Sequence, residues 1–134
     1  MNVEIFSLCD AATQYAGKLN ILGAFDTIWG VTEPIKFAGC CVAARVRFDS
    51  IESGKHRLRL DFIDADGKPV VPTINGDISV NSQDAGRSAV SNFVMNIRNL
   101  NLEKFGEYQI RLAIDGRTES TVPLYVVKKT QNKT

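Results

Sequence analysis

Along most of this chain the hydrophobic residues recur at every second position, which is the spacing of an extended strand and not the 3.6-residue period of a helix. Val42, Ala44, Val46 and Phe48 fall on one side of such a strand, and Ala43, Arg45 and Arg47 on the other. Leu58, Leu60 and Phe62 alternate with Arg57, Arg59 and Asp61. Ser91, Phe93, Met95 and Ile97 alternate with Asn92, Val94, Asn96 and Arg98, and Tyr108, Ile110, Leu112 and Ile114 with Glu107, Gln109, Arg111 and Ala113. Val122, Leu124 and Val126 close the series. About eight short strands at regular spacing predict an all-β, single-domain antiparallel sandwich.

Between the strands the chain carries turn chemistry. Asp64–Pro69 combines Asp, Gly and Pro, and Asp115-Gly116 has the pair that a tight hairpin turn demands. Asp10–Thr13 reads as a capped helical turn ended by Gly17, and Lys18–Trp29 as one strand interrupted at Gly23. Pro34 marks a loop over Val31–Lys36, Ser50–Gly54 reads as a turn, and Asn81–Arg87 as a polar loop. The domain is expected over residues 1–127, with residues 128–134 a polar C-terminal tail.

With 134 residues and 44% hydrophobic content the chain can bury a real core. Its 16 basic and 15 acidic residues leave a net charge of +1, which argues against a nucleic-acid partner. The longest run without polar side chains, Phe37–Ala44, is far short of the roughly 20 residues of a membrane span. Glu4 and Asp10 stand where a secretory signal would be basic and then apolar. Cys9, Cys40 and Cys41 are odd in number and lack metal-site or redox spacing, so three reduced thiols are expected. Together these features predict a cytoplasmic protein with no membrane partner.

Residues that could carry chemistry are few. His56 is the sole histidine, on the same face as Leu58 and Leu60, and reads as a rim residue. Asp61, Asp64 and Asp66 invite a calcium reading, but a D-x-D-G between strands is more often a turn, and calcium wants six to eight oxygens. Arg45, Arg47, Arg57 and Arg59 are expected as cross-strand neighbours, an arginine face for an acidic or phosphate-bearing partner. Asp10, Gln14, Tyr15, Asp84 and Arg87 are the candidate interaction loops at one end of the sandwich, where an aromatic side chain sits among polar groups. No catalytic, cofactor-binding or metal-binding residue is assigned, and no cofactor is expected.

Two resemblances follow from particular stretches. The segment from Leu102 to Tyr108 resembles the tyrosine corner of immunoglobulin-like and fibronectin-like sandwiches, which implies Tyr108 bonding back to backbone near Leu102 or Glu103. The stretches VEIFSLCDAAT, GKLNILGAFDTIW, SGKHRLRLDFIDADGKPV and FGEYQIRLAIDGR are similar, in order, to a family of small uncharacterised bacterial proteins, a domain of unknown function. That resemblance implies a bacterial origin and a sandwich fold, and carries over no site residues. The expected role is a non-catalytic binding or protein-interaction module, the alternative being a structural homo-oligomer that joins sheet edges or faces. Trp29 and Phe25, if exposed, favour the alternative.

Overall fold

The computed structural model describes residues 1–81 and 86–130. Its strands are β1 (Asn2–Tyr15), β2 (Lys18–Ala24), β3 (Thr27–Gly30), β4 (Ile35–Phe48), β5 (Gly54–Ile63), β6 (Ile74–Val80), β7 (Ala89–Leu102), β8 (Gly106–Ile114) and β9 (Arg117–Lys128), with a single 3-10 turn at Ser50–Glu52. They form two packed sheets, ordered β2-β1-β4-β7 and β3-β9-β8-β5-β6. Every pairing is antiparallel except β3 with β9. The all-β sandwich expected from the alternation is what the chain adopts. Its inner faces supply the core: Val42, Val46 and Phe48 from β4, Leu60 and Phe62 from β5, Ile110, Leu112 and Ile114 from β8, and Leu124 and Val126 from β9.

The N-terminal third departs from the reading above. Asp10–Thr13 is no helical turn but the middle of β1, paired with β2 up to Tyr15 opposite Lys18. Ala16 and Gly17 both have positive φ (52° and 75°), so a two-residue turn closes a hairpin and draws the segment into a ladder. Nor is Lys18–Trp29 one strand. The chain leaves the first sheet after Ala24 and enters the second at Thr27.

At Gly23 (φ 67°) the backbone takes a conformation that side chains disfavour, and a Cβ there would strike the Asp10 carboxylate opposite. Beyond this point the hairpin lies back over the outer face of its own sheet. Its tip carbonyl, Gly17 O, accepts from Asn92 Nδ2 at 3.2 Å and from Arg45 Nη1 at 3.5 Å. Ala12, Leu19 and Ile21 pack over Cys9, Cys41 and Ala43, with Val94, and bury a small third cluster. That roof explains how residues on an outer sheet face become buried.

The tyrosine corner is present. Tyr108 is 4% exposed, and its hydroxyl donates to Lys104 O at 2.6 Å and accepts from Lys104 N at 3.3 Å. The bonded residue is Lys104, one or two positions beyond the Leu102 or Glu103 expected. Leu102 itself is fully buried in the main core. Asp115 and Gly116 both have positive φ, as their turn requires.

Candidate functional site

The arginine face does not exist as one surface. β4 has β1 on one edge and β7 on the other, so the chain after Phe48 cannot fold back beside it. Residues 49–53 instead carry it across to the second sheet, with Asp49 N donating to Glu52 Oε1 at 2.9 Å to close the turn. Arg45 and Arg47 therefore lie on the outside of one sheet, and Arg57 and Arg59 on the outside of the other. A register shift between Val3 and Ile5 sets Glu4 opposite the first pair. Glu4 receives Arg47 Nε at 2.8 Å and Arg45 Nε at 3.1 Å, and these bonds, Arg47's first, hold its carboxyl below the usual range. Arg47 also donates to Ser88 Oγ, and Arg45 to Asn92. Arg59 pairs with Asp61 at 3.0 Å. Arg45 and Arg47 thus share one carboxylate and Arg59 has its own, while no ion pair among the described residues engages the Arg57 side chain.

Three of the candidate loop residues, Asp10, Gln14 and Tyr15, belong to β1. Asp10 sits mid-strand at the bend of β1, Gln14 and Tyr15 sit at the hairpin tip, and Tyr15 is 79% exposed. Asp84 lies outside the described residues. Arg87, two residues before β7, is already engaged in an interaction. Of the aspartates weighed for calcium, Asp64 Oδ1 accepts from the backbone of Asp66 and Lys68, and Asp61 is taken by Arg59 and Thr73. They close turns and pairs, and do not converge.

His56 occupies the rim position expected, but with a specific setting. Its ring stacks on Phe48 at 4.7 Å, Nδ1 lies 2.6 Å from Asp115 Oδ2, and Nε2 lies 2.6 Å from Glu52 O. Both neighbours are acceptors, so both ring nitrogens must donate, which is the protonated form. The Asp115 bond, then the Glu52 carbonyl, raise the histidine pKa, and the same contact lowers that of Asp115. The second Asp115 oxygen accepts from Arg57 N at 2.9 Å. This network ties β5 to the β8–β9 turn.

The three cysteines are reduced and buried. Cys40 points into the main core and Cys41 into the roofed cluster, on opposite faces as adjacent strand residues must be. Cys9 and Cys41 are directly paired across β1 and β4, a neighbourhood their sequence separation hides. Burial pushes the Cys40 thiol up to about 11 and raises that of Cys9. Low thiolate content at neutral pH makes Cys9 and Cys40 packing residues.

A different surface stands out. In the parallel pairing, Trp29 sits beside Val127 and Thr27 beside Tyr125. Ile28 and Val126 between them point into the core, so Trp29, Tyr125 and Val127 share the outer face. Trp29 is 62% exposed, Tyr125 40% and Val127 36%, and Val31 is exposed just past the strand. Glu107 lies opposite Tyr125 on β8. From the sequence alone, Trp29 stands out only on condition of its exposure, and Tyr125 does not stand out. The available signal was a large apolar residue at each outward position beside buried Ile28, Leu124 and Val126. Phe25 is only half-exposed, its ring 6.0 Å from that of Phe37.

Residues 4–127 match the model of a family of unknown function, DUF6941, and the chain belongs to that family. A search of curated proteins finds no match. Among the described residues, no helix is long and apolar enough to cross a membrane.

Proposed function

We propose that this DUF6941 domain is a non-catalytic protein-interaction module that receives its partner on the aromatic strip of Trp29, Tyr125 and Val127. The observation that carries this reading is the exposure of Trp29 on a rigid sheet face beside a second exposed aromatic residue. Tryptophan and tyrosine supply large, stiff contact areas at little entropic cost, and they dominate interface energetics. A contiguous apolar patch on an otherwise polar sheet face is the usual mark of a binding surface. A non-catalytic role is supported by the state of the groups that could do chemistry: the sole histidine is held between two acceptors, and the thiols are buried. The near-neutral net charge of +1 and the engagement of Arg45, Arg47 and Arg59 by carboxylates support a protein partner over a nucleic acid. Reduced, buried cysteines support a cytoplasmic location, and the tyrosine corner supports an immunoglobulin-like arrangement in a bacterial protein.

The test is affinity capture from the source cells with three forms of the chain. A partner held by wild type and by Tyr15→Ala, but lost with Trp29→Ala/Tyr125→Ser, supports the strip. Retention by the double variant, or loss with Tyr15→Ala alone, moves the surface to the hairpin tip. Because Trp29 is the only tryptophan, its emission reports binding directly and should shift to the blue.

A further inference from the structure

Each sheet of this sandwich ends in two edges, and three of the four are blunted. β2 is seven residues long and is distorted at Gly23, β3 has four residues, and β6 has seven with Gly76 and Asp77 inside it. Short length, bulges, glycine and charge are the devices by which edge strands avoid pairing with another chain. β7 uses none of them over Ala89–Asn96 and Ile97: it has 14 residues, no proline or glycine, and one charge, Arg98. One edge of it is bonded to β4, and the other is hydrogen-bonded to no strand among the described residues. Positive φ at Asn99 interrupts it only beyond Arg98.

We infer that β7 pairs with β7 of a second copy of this chain, antiparallel about a two-fold axis at Val94, joining two four-stranded sheets into one of eight. The occupant follows from charge and pleat. An antiparallel pair keeps inward residues opposite inward residues only when the two residue numbers sum to an even value. Centring on Val94 sets Phe93 opposite the partner copy's Met95, Asn92 opposite Asn96, and Val90 opposite Arg98. Phe93 and Met95 pack into the core but are only half-buried in the single chain, as inward residues at an uncovered edge are. The second copy covers them. No like charges meet in this register, because Arg98, the one charged residue of β7, faces Val90. An isologous contact of this kind closes at two copies and leaves no edge for a third.

The experiment is the mass in solution of the full chain by light scattering and sedimentation over a wide concentration range. The expected result is a monomer–dimer equilibrium between 14.8 kDa and twice that mass. Val90→Lys sets lysine against Arg98 at two symmetric places and should weaken the dimer about two- to thirtyfold, while Val90→Glu sets opposite charges there and should tighten it. A chain monomeric at every concentration overturns the proposal. So does a dimer that responds to neither substitution, because that dimer uses another surface. Thermal melts of both variants guard against misfolding, and Val90→Lys/Arg98→Glu, which sets opposite charges at the same two places, should restore the dimer.

Discussion

Tyr108→Phe isolates the tyrosine corner, because it removes one oxygen and leaves the ring packed edge-on to Phe62 at 6.3 Å. The hydroxyl makes a short donated bond to Lys104 O (2.6 Å) and a longer accepted one from Lys104 N (3.3 Å). A typical intramolecular hydrogen bond contributes about 1 kcal/mol net, and a buried group left without a partner costs about 1–3 kcal/mol. Lys104 lies at an exposed turn, so water can reach its orphaned groups in part, which limits the loss. The expected destabilisation is therefore roughly 1–2 kcal/mol. At about 4 °C per kcal/mol, between the values for smaller and larger domains, Tm should fall by about 4–8 °C. Chemical denaturation should show a lower midpoint with an unchanged slope. The Tyr125 hydroxyl, on the exposed strip, bonds to none of the described residues, so Tyr125→Phe serves as the control. A Tyr108→Phe midpoint equal to that of the control refutes the corner as a stabilising device.

Two further outcomes are expected. His56 should titrate above 6.5, its histidine signal in NMR being the only one, and a value at or below 6.5 refutes the network. A raised folded-state pKa makes its contribution complete below 6.5 and lost as pH climbs through the folded value, whereas lowered Asp115 contributes above 3.8 and is lost on acidification; stability should peak between, and His56→Gln should remove the alkaline decline through that range. Thiol reagent at neutral pH should find the native cysteines slow to react and all three after denaturation, and fewer than three in unreduced protein contradicts the reduced state.

The strands were legible because one buried face per strand writes period two directly into the residues, as in β4, β5 and β8. Tyr108 and Asp115-Gly116 were legible because local chemistry decides them. Asp10–Thr13 was not, because Ala-Ala-Thr fits a helical turn or a strand equally well. What decides is remote: Ala12 and Ile21 cover Ala43 and Val94, some twenty to eighty positions away. The partition of strands between sheets was equally hidden. A short connection after Phe48 suggests a hairpin, and only the two neighbours already bonded to β4 forbid it. That single fact separates Arg45 and Arg47 from Arg57 and Arg59. The aromatic strip joins residue 29 to residue 125 through a parallel pairing that no local pattern announces.

The two proposed surfaces sit at opposite sides of the sandwich. β3 is one edge of its sheet and β6 the other; β9 packs against β1, while β6 packs against β7. The Trp29 strip therefore lies on the flank away from β7. A pair of chains joined through β7 would keep both strips uncovered, at its two far ends. Such a pair would present two binding faces at a fixed separation, and a partner offering two matching sites would be held more tightly than by either face alone. The geometry also keeps the proposals independent. Val90 and Arg98 do not belong to the strip, so a chain that fails to pair can still bind through Trp29, and one that loses Trp29 can still pair.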